Sequence, residues 1–116
     1  MSFSKKTDKL VKDLIDSEYE NACCLYGDKY QTLHQAYSVL AEEIDEVKSE
    51  LLKLLSYKQE VKVFTQNFDA NKDFFDLYNI CHSSFCVSKH AIKELAQVCA
   101  VLKKFQATLD SMKDNI

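Results

Sequence analysis

Proline is absent from this 116-residue chain, and glycine occurs once, at Gly27. Sheets and sandwiches need turn residues at regular intervals, so this scarcity excludes them and leaves long uninterrupted helices. Arginine is absent too, since all fifteen basic residues are lysines. That removes the usual bidentate reader of guanine and phosphate. The lysines are intermixed with acids at a net charge of −3, so no nucleic-acid partner is expected. No apolar run approaches the roughly 18–20 residues of a membrane span, and no membrane partner is expected either. Met1-Ser-Phe-Ser-Lys-Lys carries charge with no apolar stretch behind it, which argues against a signal peptide.

What is present is a composition of 47% hydrophobic and 28% charged residues, that of a folded protein. One domain spanning residues 1–116 is the expectation for this length. The cysteines, Cys23, Cys24, Cys81, Cys86 and Cys99, are odd in number and contain no C-x-x-C. They make a poor disulfide framework and read as reduced, buried thiols in a cytoplasmic protein.

Helical periodicity appears first over about residues 4–25, with Ser4 as N-cap and Gly27 as stop. Thr32-Leu33-His34-Gln35 has the form of a capping box, which satisfies two otherwise unpaired backbone N–H groups. It opens a second helix expected to run to about Leu55. Residues 57–68 break the period and read as a connecting loop or frayed helix end. Asp69 then caps a third segment, in which Ser83, Ser84 and Ser88 suggest a kink. A last helix covers about 89–112, separate from the third or continuous with it. The expected fold is an all-α helical bundle of three to four helices. Its wide apolar faces, with Phe74, Phe75, Phe85 and Phe105, exceed what so short a chain can cover, so a homodimer or homotetramer is expected.

Two carboxylates sit where apolar residues belong. At about 100° per residue, Glu43 falls between Ala36, Leu54 and Val47 on one side and Val39 on the other. Glu46 lies one turn on, with Glu50 between them, both facing a rim. Glu94 repeats the arrangement among Phe105, Val98 and Val101, and Gln97 takes the place that Glu46 has on the earlier helix. Burying carboxylates without compensation is costly. One explanation is a divalent metal held between helices by oxygen ligands; another is pairing with lysines or a tyrosine hydroxyl. His82, Cys86 and His90, at steps of four, would line one face of an unbroken helix and suit a soft metal such as zinc, but no fourth ligand is evident.

The stretch His34-Gln-Ala-Tyr-Ser-Val-Leu-Ala-Glu-Glu-Ile-Asp-Glu-Val resembles the first motif helix of small phage and prophage MazG-like proteins. Lys93-Glu-Leu-Ala-Gln-Val-Cys-Ala-Val-Leu-Lys-Lys-Phe resembles their second. Together these stretches cover about a quarter of the chain. The resemblance implies an all-α nucleoside triphosphate pyrophosphohydrolase, working as a dimer or tetramer, whose E-x-x-E and E-x-x-D pairs bind Mg²⁺ or Mn²⁺. Carried over, Glu43 and Glu46 match the first pair and Glu94 the glutamate of the second. Gln97 stands where the family has aspartate, so the expectation is metal and nucleoside triphosphate binding with hydrolysis weakened or lost. Lys93, Lys103 and Lys104 are the nearest lysines for phosphate, with Lys93 the candidate nucleotide-binding residue. The alternative is a non-catalytic, phage-type helical interaction or scaffold protein.

Overall fold

The computed structural model describes residues 4–113, within which three α-helices and no strand are found. The expectation for the N-terminal stretch falls partly on residues 1–3, outside the described residues. Helix α1 spans Lys5–Tyr26, α2 spans Leu33–Gln66 and α3 spans Ala70–Lys113. None is long and apolar enough to cross a membrane.

The helix ends follow local chemistry. Ser4 caps α1, its hydroxyl accepting from the Thr7 amide at 3.2 Å. Gly27 ends it with a φ of 83°, the region that favours glycine, and its N–H donates to the Cys23 carbonyl at 2.7 Å. At the start of α2 the Thr32 hydroxyl accepts from the Gln35 amide at 3.0 Å. The Gln35 side chain reaches back to the Gln31 amide at 2.9 Å. Asp69 caps α3 by accepting from the Asn71 amide at 3.0 Å, while the Asp73 carboxylate accepts from the Asp69 amide at 3.1 Å.

One expectation is corrected, and one open alternative is decided. Residues 57–66 are helical, so α2 continues to Gln66 instead of ending near Leu55. The serines make no break, and the third and fourth segments are one helix. Ser84 and Ser88 donate their hydroxyls to the carbonyls of Ile80 and Ser84 at 2.7 and 2.8 Å. They satisfy themselves on their own helix rather than drawing the backbone into a turn.

The reason α2 continues is a heptad repeat. Ala36, Leu40, Glu43, Val47, Glu50, Leu54, Tyr57, Val61 and Phe64 recur at steps of four and three, and none is exposed. On α3 the same steps run through Asp73, Leu77, Ile80, Ser84, Val87, Ala91, Glu94, Val98, Val101, Phe105, Thr108 and Met112, again with none exposed. These are the a and d positions of a coiled-coil seam, with an effective period of 3.5.

The chain divides into two compact units, Met1–Ile44 with Glu94–Ile116, and Asp45–Lys93. In the first, burial centres on Ala36, Ala96, Ala100, Val101 and Thr108. The Tyr30 amide donates to the Thr108 hydroxyl at 2.9 Å, tying the loop before α2 to the last turns of α3. Lys103 lies 4.3 Å from the Tyr19 ring centre and 3.4 Å from the Asp16 carboxylate, which fastens α1 to α3. The second unit is a hairpin of two antiparallel helical arms joined through Asn67, Phe68 and Asp69. Of its apolar side chains only Val47 and Ala91 are buried.

The cysteines are free thiols, but the expectation that they fill the core is corrected. Cys24, Cys81, Cys86 and Cys99 are exposed and Cys23 is half-buried. None of the five occupies an a or d position of the two seams.

Candidate functional site

Glu43 and Glu94 are d positions of α2 and α3, carboxylates set into the seam where the pattern calls for apolar side chains. Glu94 is 8% exposed and Glu43 is half-buried. Each turns one carboxylate oxygen completely away from solvent. Glu46 is exposed, one turn further along the same continuous helix as Glu43. One carboxylate oxygen from each of Glu43, Glu46 and Glu94 lies within 4.8 Å of the other two. The three carboxylates singled out by wheel position are therefore brought together.

Ligand oxygens of one Mg²⁺ stand at about 2.0–2.1 Å from the ion, so two of them are separated by at most about 4.2 Å. The 4.8 Å limit is somewhat wider than that, so the three carboxylates must draw together to share one such ion; an all-oxygen donor set is what a hard cation takes. Gln97 follows Glu94 by one turn and is half-buried, with a neutral amide side chain. Lys93 is exposed beside Glu94 in the chain.

The surroundings include Tyr30, which sequence patterning does not single out. It is half-buried, and its phenol is pushed above the ordinary value of 10.0, first by burial and then by the negative charge of Glu43. The Lys104 ammonium lies 4.4 Å from the Tyr30 ring centre, and the residue is only 2% exposed. A cation over an aromatic face is held by the ring quadrupole. That burial against Tyr30 removes Lys104 from the lysines able to grip a phosphate.

Glu50, expected on a rim, is instead buried, one heptad after Glu43. Its Oε1 lies 3.2 Å from His90 Nδ1 and 3.5 Å from the Lys53 ammonium. That contact also decides the His82, Cys86 and His90 group. The helix through them is unbroken, and His82 Nε2 lies 3.7 Å from Cys86 Sγ. His90, however, is directed at Glu50.

No family model, curated protein or solved structure matches this chain. What the site can do rests on its own residues.

Proposed function

We propose that this chain is a MazG-like nucleotide-binding protein in which Glu43, Glu46 and Glu94 hold a divalent cation, Mg²⁺ or Mn²⁺. The observation that supports this most is the convergence of three carboxylates from two helices within 4.8 Å. In this reading the ligand is a nucleoside triphosphate, and the setting is the cytoplasmic, phage or prophage one of the proteins the motifs resemble. A bound cation would neutralise the triphosphate and polarise a water for attack, giving nucleoside monophosphate and pyrophosphate. The chain's residues supply the rest. Glu43 and Glu94 project from facing seam positions, Glu46 adds charge at the solvent edge, and exposed Lys93 is available to a phosphate oxygen. Gln97 lowers the site's negative charge by one and cannot serve as a base, which weakens both cation affinity and hydrolysis.

A second reading draws on the heptads. Polar residues at a and d positions fix helix pairing at some expense of stability. Glu43, Glu50 and Glu94 all occupy d positions, as they would in a non-catalytic helical interaction or scaffold protein.

The substitution Gln97→Asp separates the two. In a weakened enzyme it restores a fourth carboxylate, raises Mg²⁺ affinity, and raises pyrophosphate release across a nucleotide panel above the wild-type rate. Glu43→Gln or Glu94→Gln removes that gain. A cation present at a hundredfold excess over its Kd adds about 2.7 kcal/mol of stability, which thermal unfolding reads directly. In a scaffold the new aspartate only crowds like charges. A Gln97→Asp protein that is destabilised, and stays so in millimolar Mg²⁺ or Mn²⁺, overturns the metal reading.

A further inference from the structure

The two flanks of the hairpin Asp45–Lys93 differ in charge. Lys53 and His90 are g positions of α2 and α3, and they approach the same Glu50 oxygen, at 3.5 and 3.2 Å. The g flanks of the two arms therefore lie together, which sets their e and b positions side by side on the other flank. On the g and c flank, Glu46, Glu60 and Asp76 offset Lys53, Lys72 and Lys93. The e and b flank holds no acid. From α2 it carries Lys48, Lys58 and Lys62 with Leu51 and Leu55, all exposed. From α3 it carries Phe74, Tyr78, Phe85 and Ile92, exposed as well. None of the ion pairs among the described residues involves those three lysines. Lys89 adds a further cation at the border, 5.7 Å from the Phe85 ring centre.

Cations and rings are ordered along this flank. An antiparallel pair turning about Phe68 sets Lys62 level with Phe74 and Lys58 level with Tyr78; nearer the base it sets Leu51 level with Phe85. Packed helix axes stand about 8–10 Å apart, which leaves between the two rows a groove that one further helix fills. At roughly 150–250 Å² per aromatic side chain, three half-exposed rings offer about 300 Å². A stable interface takes roughly 800 Å² from each partner. Apolar contact alone therefore holds an occupant weakly, and charge decides which occupant it is. A second copy would bring lysines to lysines. A bilayer would have to take in the ammonium of Lys58, which stands at e, next to the seam, and not at a border from which it snorkels outward. A helix with an apolar ridge and carboxylates along one side meets both rows.

We propose that the e and b flank of the hairpin is the docking groove for an acidic amphipathic helix of another protein. The apolar ridge of that helix, at i, i+3, i+4 and i+7, lies along Phe74, Tyr78, Phe85 and Leu51. Its carboxylates line the side toward α2. Two of them, about one turn apart, reach Lys58 and Lys62, and a third lies about 15 Å further toward the base, at Lys48. The inference rests on the interaction reading and extends it by naming the partner's chemistry. It is separate from the cation site, because none of Glu43, Glu46 and Glu94 lies on this flank. Its failure leaves the outcome of the Gln97→Asp experiment untouched.

The test is titration of the full chain into labelled synthetic peptides of about 22 residues, long enough at 1.5 Å per residue to span the arms. One peptide has leucines at a and d and glutamates along one flank; its counterparts carry glutamine or lysine in place of the glutamates. Fluorescence anisotropy should show binding of the acidic peptide that weakens as salt is raised. The glutamine peptide should bind about tenfold more weakly, and the lysine peptide not at all. Combining Lys58→Gln with Lys62→Gln should erase the preference for glutamate. Lys53→Gln with Lys72→Gln removes the same charge from the other flank and should keep it. Phe85→Ala with Leu51→Ala should abolish binding, with helical circular dichroism retained. Should that variant fail to fold, the lysine pair, at exposed positions, still decides. Equal affinity for all three peptides overturns the proposal, as does acidic binding that survives loss of Lys58 and Lys62. Wild type that ignores every peptide overturns it too, and cosedimentation with phosphatidylserine-containing vesicles would then assign the flank to a lipid surface.

Discussion

Replacing Thr108 with valine tests how the first unit is held together. The side chain is 1% exposed, and its hydroxyl has two roles. It accepts from the Tyr30 amide at 2.9 Å and donates to the Lys104 carbonyl at 2.9 Å. Valine keeps the shape and the β-branch while removing the acceptor, so helix propensity barely changes. The Lys104 carbonyl sits within a helix and keeps its ladder bond; the Tyr30 amide, 78 residues away in sequence, does not. Leaving a buried donor unsatisfied costs about 1–3 kcal/mol. Tyr30 is only half-buried, which places the expected loss near the lower end, about 1–2 kcal/mol. At about 4–8 °C per kcal/mol for a domain of this size, the unfolding midpoint should fall by about 4–16 °C. Thr108→Ser retains the acceptor and gives up one methyl, about 1 kcal/mol. The readout that separates the two is hydrogen exchange at the Tyr30 amide, protected in wild type and Thr108→Ser and fast in Thr108→Val. A Thr108→Val protein as stable as wild type, with that amide still protected, would refute the reasoning.

Thr32→Ala removes the acceptor for the Gln35 amide and should lower stability by about 1 kcal/mol in denaturant titration; an unchanged midpoint would mean that water replaces the cap at no cost. Two pH limbs follow from the tyrosine and the aspartate. The Tyr30 phenol is raised in the folded state, by burial first, so its stabilisation is complete below pH 10 and is lost as pH rises through the folded value. Asp16 is lowered, chiefly by its hydrogen bond to Lys12, so its stabilisation is present above the ordinary 3.8 and is lost as pH falls through the folded value. Tyr30→Phe should flatten the alkaline limb and Asp16→Asn the acid limb; limbs as steep as those of wild type in both variants would contradict the assignment.

The features readable from sequence are the local ones. Ser4, Gly27, Thr32 with Gln35, and Asp69 act within four residues of themselves, and each ends or starts a helix where its chemistry requires. The misjudged features depend on a neighbouring helix. A wheel turned at 100° per residue drifts by about 20° per heptad against a supercoiled helix. That drift carries Glu50 toward a rim, although it stands in the same column as Glu43. The same drift hides Tyr57, Val61 and Phe64 as continuations of the α2 seam, so that the alternating lysines around them look like a break. Glu43, Glu46 and Glu94 are legible because apolar neighbours bracket the first and last in sequence. The burial of Lys104 is not, because the Tyr30 ring beneath its ammonium is brought in from the loop before α2.

Because Glu43 and Glu50 hold equivalent places one heptad apart, α2 contains two alignments that look alike from α3. Sliding α3 by seven residues would set Glu50 opposite Glu94 and keep apolar side chains facing apolar ones almost throughout. The apolar seams alone therefore cannot tell the two alignments apart. What does so is the Glu50–His90 contact and the length of the link through Asn67, Phe68 and Asp69, together with the Tyr30–Thr108 hydrogen bond. Those three residues act as a ruler. A chain lengthened there by seven would populate two frames, and a cleaved link would free the helices to trade one for the other.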